Sequence, residues 1–329
     1  MTSTTAAPTA AKTRLRPRLR TDGTIWFGAA LFVLLLILNL ASNPNTFGLA
    51  NLPVTIGFAA PVILAAFAVT PTLLMGNGGI DLSVGPAIGL VNVVVVFYFA
   101  TRLGLTNPAV LIPVALLLGA FIGLVNGVLV AFVRIQPIVA TLGTYLACAG
   151  AALLVAPTPG GVVPVWLGSF ANTLSFVPIV AAIIIWLVVR RLPFYEHLMA
   201  YGGDERAVYT SGISVKLLRI GAFVLGGLFA GIGGLSLSAV LGSADPTVGA
   251  NYTTLGIAAA ALGGVSLAGG RGGLFRALLG ALTIFLLQNL LTFWNVSSFA
   301  LQIAYGVVLV LAVAANGQIG ELVKKVSRS

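Results

Sequence analysis

The sequence predicts an all-α, polytopic membrane protein with about ten transmembrane helices and both termini in the cytoplasm. Only 7% of its 329 residues are charged, whereas soluble domains carry about 25%. The mean hydropathy is +1.09, and long apolar runs recur along the chain. The basic residues gather in segments that one ten-span topology places on the same side of the membrane.

The composition also argues against several classes of function. The net charge is +10, but no basic patch is interleaved with aromatic residues, so a nucleic-acid partner is not expected. Cys148 is the single cysteine, and therefore no disulfide can form within the chain. His197 is the single histidine, which leaves a histidine metal site or a catalytic triad poorly supported. The apolar run from Ile25 is followed by the polar letters SNPN rather than by the cleavage site of a signal peptide.

The chain begins with a polar tail, residues 1–24, which contains basic residues at alternating positions. We expect this tail to lie in the cytoplasm and to set the orientation of the protein. The alternative is a site for anionic lipid headgroups. Residues 25–318 form the predicted transmembrane domain, and residues 319–329 form a second cytoplasmic tail. The basic residues of the first tail are Lys12, Arg14, Arg16, Arg18 and Arg20.

Ten apolar runs approach the length of about 20 residues that a membrane-spanning helix requires. They are residues 25–41, 53–75, 82–101, 109–131, 137–156, 173–189, 220–241, 253–268, 277–293 and 299–315. With the first tail inside, this topology places 16 of the 17 basic residues in the cytoplasm and leaves Arg102 outside. A shift by one span would spoil this agreement, and we therefore predict ten spans.

The longest polar interruption is residues 198–219, LMAYGGDERAVYTSGISVKLLR, within a loop of about residues 190–219. A charged segment between membrane spans must lie outside the bilayer. Asp204 is placed to cap a short helix that Gly212 would stop. An ordered helix in such a loop indicates a docking surface for a soluble partner.

The segment 75–86, MGNGGIDLSVGP, lies between the second and third apolar runs, and its glycines disfavour a continuous helix. One interpretation is a tight turn in which Asp81 caps the next helix. The other is a broken helix that lines a transport path, with Asp81 as a functional acid at membrane depth. Both interpretations can hold together. The segment lacks GKS or GKT, and therefore it is not a phosphate-binding loop.

Two later motifs carry polar groups or glycines into apolar runs. In residues 133–150, VRIQPIVATLGTYLACAG, Pro137 is expected to start a helix, and Thr141, Gly143 and Thr144 form a stripe that packs against another helix or lines the pore. Residues 261–282 repeat the spacing GGxxLxxG of segment 75–86, through an internal repeat or by coincidence. The amide side chains within the spans have two interpretations: they take part in transport, or they form hydrogen bonds between helices. The candidates for the translocation path are Asp81, Asn126, Thr141, Asn289 and Gln302.

Four motifs, GNGGIDLSVG, RIQPIVATLG, AVYTSGISVK and ALGGVSLAGGRGG, occur in this order. With them, residues 50–318 resemble the permease family of bacterial ABC importers for monosaccharides, the group for ribose, galactose, xylose and arabinose. The resemblance implies the ten-span importer fold. It also implies several partners: a second permease copy or a paralogue, two cytoplasmic ATPase domains, and a periplasmic or lipid-anchored solute-binding protein.

In that family, the loop that matches Tyr201–Arg219 contains the coupling helix, which docks on the ATPase. The residues expected to make this contact are Gly202, Arg206, Ala207, Ser211 and Gly212. The resemblance implies no cofactor in this chain, because ATP and Mg²⁺ would bind to the ATPase subunit. The sequence departs from the family at Asp204–Arg206, where an Asn-rich or Glu-rich run is common, and in a short fifth external loop.

Together these features predict a transporter subunit, not an enzyme, in the cytoplasmic (inner) membrane of a bacterium. It would move a monosaccharide by alternating access, in contact with membrane lipid and with a small polar substrate. A polyol, a nucleoside or a signalling furanone is the alternative substrate within the same family. An ion-coupled secondary transporter would need more intramembrane acids than Asp81, and a membrane-embedded enzyme would need clustered His, Asp, Glu or Cys.

Overall fold

The computed structural model describes residues 23–297, 299–308, 310–311 and 314. Within these residues the regular elements are helices, and the extended pairing is a single bridge between Gly160 and Ala244. The predicted tail 319–329 and most of the predicted tail 1–24 lie outside the described residues.

The helices follow the predicted apolar runs closely. They are α1 (Gly23–Ser42), α2 (Leu52–Met75), α3 (Val84–Val93), α4 (Pro108–Val128), α5 (Pro137–Val155), α6 (Val165–Gly168), α7 (Phe176–Val189), α8 (Pro193–Gly203), α9 (Glu205–Thr210), α10 (Val215–Leu241), α11 (Asn251–Leu262), α12 (Leu274–Phe293) and α13 (Phe299–Val308). Two helices continue in π-helical form, α3 through Val94–Arg102 and α4 through Leu129–Val133. Pro137 occupies the first turn of α5, where its missing N–H costs nothing, and the prediction for this residue is confirmed.

Seven of the described helices are long and apolar enough to cross a membrane: α1, α2, α3 and α4 with their continuations, α5, α10 and α12. An eighth span is formed if Val165–Ala171 and Phe176–Val189, which meet at a bend of 81°, are counted as one. Two further apolar helices, Val248–Leu262 and α13, are shorter. The chain is therefore a polytopic, all-helical membrane protein, in which the segment predicted at 253–268 is helical only as far as Leu262.

The centre of the molecule is formed by α2 and α10. In their apolar windows 67% and 78% of the residues are buried, against 17% for α1 at the periphery. Glycines let α4 approach α10 closely, since a Cβ at Gly119 or Gly123 would collide with the carbonyl oxygens of Gly227 and Phe223. Such packing of small residues is the usual means of holding helices together in lipid.

Contacts between the connecting segments define two ends of the molecule. At the end that we call the polar end, the Gly270 N–H donates to the Leu74 carbonyl over 3.0 Å. At the opposite end, Gly160 and Ala244 exchange backbone hydrogen bonds of 2.8 and 3.0 Å. Because α11 lies between residues 244 and 270, it leads from the opposite end to the polar end in spite of its short length.

The structure corrects one expectation about Asp81. The helix α3 begins at Val84, its N-terminal flanking residue is Ser83, and the N–H of Gly85 in its first turn donates to Thr253 Oγ1 over 3.0 Å. The Asp81 carboxylate instead accepts hydrogen bonds from the Ser83 N–H over 2.9 Å and the Ser83 hydroxyl over 2.6 Å. The prediction that Asp81 caps the next helix is wrong, because the carboxylate closes a local turn that ends just before the helix starts.

Candidate functional site

The polar interruption contains the short helix α9, as its sequence predicts. The Asp204 side chain accepts hydrogen bonds from the N–H groups of Arg206 over 2.9 Å and Ala207 over 3.1 Å, which confirms it as the N-cap. Val208 is buried and attaches the helix to the rest of the protein. The other side of α9 is open to solvent.

Four of the five predicted contact residues, Arg206, Ala207, Ser211 and Gly212, are exposed on and just after α9. We call these four residues, together with the exposed Tyr209, the α9 surface. Gly212 has a left-handed φ of 80°, and a Cβ placed on it would meet nothing within 4 Å. The helix therefore ends at a glycine that its conformation requires, beside open space that a partner can fill.

Gly202, the fifth predicted contact residue, is half-buried and packs against the backbone of two other segments. A Cβ on Gly202 would collide with the Leu74 carbonyl oxygen and the Gly270 nitrogen. Gly76 and Gly269 approach each other equally closely, since a Cβ on Gly269 would lie 2.5 Å from the Gly76 Cα. We call Gly76, Gly202, Gly269 and Gly270 the glycine junction. It joins α8, the loop after α2 and the loop after α11, backbone against backbone.

A chain of polar side chains runs beside the glycine junction. The Asn77 amide donates to Glu205 Oε2 over 2.7 Å, and Arg219 Nη2 pairs with Glu205 Oε1 over 2.9 Å. Arg219 Nε also donates to the Tyr201 hydroxyl over 2.8 Å. Burial raises the pKa of the Tyr201 phenol, and the contact with Arg219 opposes part of that rise. The phenol is thus a neutral hydrogen-bond acceptor for the guanidinium.

A groove of about 1010 Å³ opens at the polar end, between the α4–α5 connection, the loop after α2 and the segment around α9. Four cationic and two anionic side chains line it, so the groove carries a net positive charge. They are Arg134, Arg206, Lys216, Arg219, Asp204 and Glu205. Asn77 lines the same groove, and the loop after α2 therefore faces α9 across this space.

Beyond Asn77, the loop enters a buried polar cluster. The Asn126 amide N–H donates to the Ser83 hydroxyl over 2.8 Å, and the Thr144 hydroxyl donates to Asn126 Oδ1 over 2.6 Å. Asp81, which binds Ser83, is 2% exposed, and Asn126 is fully buried. We call Asp81, Ser83, Asn126, Thr141 and Thr144 the buried polar cluster.

Two threonines hold the backbone of this loop. Thr141 Oγ1 accepts from the Leu82 N–H over 3.1 Å and donates to the Ile80 carbonyl over 3.2 Å. Thr253 Oγ1 donates to the Leu82 carbonyl over 3.0 Å. Side chains of α5 and α11 thus form hydrogen bonds to the same short stretch of backbone, whose N–H and C=O groups are not paired within a helix.

The structure brings three of the five predicted path residues, Asp81, Asn126 and Thr141, into one cluster. None of these three lines the groove at the polar end. Asn289 is half-buried on α12 and Gln302 is exposed on α13, and neither bonds to the cluster. A role for the five residues in translocation stays a prediction.

The residues that join α9 to the loop leading to the buried polar cluster were not identified from the sequence. Asn77 and Glu205 are 128 positions apart, and no periodic pattern pairs them. Glu205 belongs to the segment Asp204–Arg206, where the sequence departs from the family pattern. That departure was the signal that could have drawn attention to this residue. Among the described residues, no group of three or more His, Cys, Asp or Glu side chains could hold a metal ion.

Comparisons with known proteins identify the family of this chain. A family model described as a branched-chain amino acid transport system permease component matches residues 53–315. The ribose import permease protein of Escherichia coli (strain K12) is 35% identical over 306 residues, which cover 88% of this chain and 92% of that protein. The ribose import permease protein of Haemophilus influenzae is 32% identical over 308 residues, with the same two coverages.

The D-allose transport system permease protein of Escherichia coli (strain K12) is 30% identical over 260 residues, covering 74% of this chain and 79% of that protein. No solved structure matches the chain. The family model spans most of the chain, and the relatives match over most of their own length. The resemblance seen in the four motifs is thereby confirmed, and the chain belongs to the permease family of bacterial ABC importers for monosaccharides.

Proposed function

We propose that this chain is the membrane subunit of an ATP-driven importer that moves a monosaccharide across the cytoplasmic membrane by alternating access. The observation that carries the proposal is the α9 surface, a capped helix that is exposed on one side and held by the protein on the other. A loop that only connected two spans would not need a cap, a left-handed glycine stop and a polar anchor.

The proposal includes several partners. A second copy of the chain or a paralogue completes the translocation path, and two ATPase domains dock on the two α9 surfaces. ATP and Mg²⁺ bind to those ATPase domains, and this chain carries no cofactor. A solute-binding protein, periplasmic or anchored to lipid, delivers the sugar at the opposite end. Closure of the ATPases displaces α9, and the spans then open inward.

The charges and the contacts between segments support an orientation of the chain in the membrane. Both termini and the polar end lie in the cytoplasm, and ten spans connect the two ends. The positive groove at the polar end agrees with the excess of basic residues in cytoplasmic loops. The contacts of the loop after α11 with Leu74 and Gly202 support a crossing of the membrane by α11.

The substrate class rests on the relatives, which are named for ribose and allose import. The description of the family model favours a second candidate, a branched-chain amino acid. A polyol, a nucleoside or a furanone would fit the same architecture. The path residues Asp81, Asn126, Thr141, Asn289 and Gln302 would offer weak polar contacts in a conformation that exposes them, since tight binding would slow release.

The experiment is ATP-dependent uptake into proteoliposomes that contain this chain, the ATPase encoded beside it and the solute-binding protein encoded beside it. We expect uptake of ribose, galactose or allose and no uptake of leucine. Uptake must stop when the ATPase carries an inactivating substitution. Uptake that survives this substitution but disappears when the ion gradients are collapsed would identify a secondary transporter instead.

A further inference from the structure

Glu205, the first residue of α9, is bonded to two other segments by its two carboxylate oxygens. Oε2 accepts from the Asn77 amide over 2.7 Å, and Oε1 pairs with Arg219 over 2.9 Å. Asn77 belongs to the loop after α2, and Arg219 lies near the start of α10. The carboxylate therefore connects α9 to the loop after α2 and to α10 through charge-assisted hydrogen bonds.

The backbone at Asn77 presents its side chain to Glu205. Asn77 has a φ of 50°, in the left-handed region that non-glycine residues rarely adopt. Asparagine tolerates this conformation better than most residues, but glycine would adopt it at lower cost. The choice of Asn over Gly at a strained position supplies an amide, and the structure shows that the amide binds α9.

The loop that contains Asn77 has little freedom to absorb a displacement. Six positions after Asn77, Ser83 is held by Asn126, and the backbone between them is gripped by Thr141 at Ile80 and Leu82. Between α8 and α9, by contrast, Asp204 is a single extended residue with a φ of −156°, at which α9 can pivot. The contact of Glu205 with Asn77 is thus a direct connection from α9 to the buried polar cluster.

We propose that the Asn77–Glu205 hydrogen bond transmits the displacement of α9 to the loop after α2, with Arg219 holding the Glu205 carboxylate in position. This inference rests on the proposed function, in which an ATPase moves α9. Asn77 and Glu205 act as positioning residues, which link the movement of α9 to the passage of the solute.

The test is Asn77→Gly in the complete importer, because glycine keeps the left-handed backbone and removes only the amide. The measurement is the ratio of sugar imported to ATP hydrolysed, with the best transported of ribose, galactose and allose as the probe. We expect this ratio to fall by about two- to fivefold, the scale of one solvent-exposed hydrogen bond to a charged group, while ATP hydrolysis continues. The matched control is Asn295→Gly: Asn295 also has a left-handed φ, 54°, and is exposed as Asn77 is, but it makes no side-chain hydrogen bond to a described residue.

A second variant tests the bond itself. Asn77→Asp places two carboxylates together and should uncouple the importer. The double variant Asn77→Asp with Glu205→Gln restores a hydrogen bond of reversed direction, and it should recover at least part of the ratio of sugar imported to ATP hydrolysed. An unchanged ratio in Asn77→Gly, with the wild type active, overturns the link and leaves the proposed function standing. If the wild-type importer moves none of the three sugars, the proposed function fails and the link fails with it.

Discussion

Gly202 and Gly203 are neighbours in α8 with opposite steric freedom. A Cβ on Gly202 would collide with backbone atoms of Leu74 and Gly270, whereas a Cβ on Gly203 would meet nothing within 4 Å. Backbone atoms cannot move aside as a flexible side chain can. The glycine junction therefore depends on the absence of a side chain at position 202. Even the single methyl group of alanine would not fit there.

The pair Gly202→Ala and Gly203→Ala tests the glycine junction. We expect Gly202→Ala to lower the free energy of unfolding by about 1–3 kcal/mol through overpacking. Gly203→Ala should stay within about 0.5 kcal/mol of the wild type, as is usual for exposed positions. The measurement is unfolding by SDS titration in mixed detergent micelles. Equal stability of the two variants would contradict the close contact of the three segments.

Asn126 supports a second prediction at the scale of single residues. Its amide donates to the Ser83 hydroxyl and accepts from the Thr144 hydroxyl; Asn126 and Ser83 are buried, and Thr144 is half-buried. Asn126→Ala should lower the free energy of unfolding by about 1–3 kcal/mol, because it removes two hydrogen bonds inside the protein, although Ser83 keeps its bond to Asp81 and Thr144 keeps its bonds to backbone carbonyls. Asn45→Ala, at an exposed position without a side-chain hydrogen bond, is the control in the same SDS titration. A similar midpoint for both variants would show that the buried polar cluster does not stabilise this fold.

Part of the candidate site could be predicted residue by residue, and part could not. Asp81, Asn126 and Thr141 were detectable because each is polar within an apolar stretch, and the fold then brought them together. The bond between Asn77 and Glu205 was not detectable, since both residues lie in polar loops where such side chains need no explanation. Their meeting depends on how α2, α9 and α10 are arranged in space.

At the scale of elements, α9 has few residues with which to stabilise itself. Six residues form little more than one turn, a length at which an isolated helix does not persist in water. Its order comes from Val208 in the core, the Asp204 cap and the Glu205 anchor. The removal of one of these supports should therefore disorder the α9 surface more than it destabilises the whole fold.

Asp204→Ala is the corresponding test. Loss of an N-cap costs about 1 kcal/mol, which should weaken binding of the ATPase to this chain about fivefold if docking requires the helical form of α9. Asp204→Ser keeps a capping oxygen and should bind nearly as the wild type does. The measurement is titration of the ATPase onto this chain in nanodiscs. Undiminished binding by the alanine variant would show that the ATPase recognises the loop without its helix.

The end of α11 shows where apolar patterns fail to locate an element's boundary. The predicted span continued to residue 268, because residues 253–268 are mostly small and apolar. The helix ends at Leu262, and Gly264 turns the chain with a left-handed φ of 86°. Hydropathy does not register such a turn, since glycine and alanine are equally compatible with an apolar environment. The glycine pair at 263–264 was the signal that favoured an early end.

At the scale of the whole molecule, the short α11 leaves two topologies to be distinguished. If α11 crosses the membrane, the loop at Ala268 lies in the cytoplasm and Ser297 lies outside. If α11 and α13 both stay within one leaflet, the positions of Ala268 and Ser297 are exchanged. The contacts favour crossing, because Gly269 and Gly270, which follow Ala268, pack on the backbone of the polar end.

Cysteine labelling in intact cells tests this topology, and the chain suits the method because Cys148 is its single cysteine and is buried. In a Cys148→Ala background, we expect a membrane-impermeant maleimide to label Ser297→Cys from outside and to reach Ala268→Cys only after the cells are opened. Both positions are exposed, so failure to react reports sidedness and not burial. Ser211→Cys and Thr106→Cys serve as the inside and outside controls, since their assignment is the same in both topologies. Labelling of Ala268→Cys in intact cells, with Ser211→Cys still protected, would contradict the ten-span arrangement and the contact of the loop after α11 with Leu74 and Gly202 at the polar end.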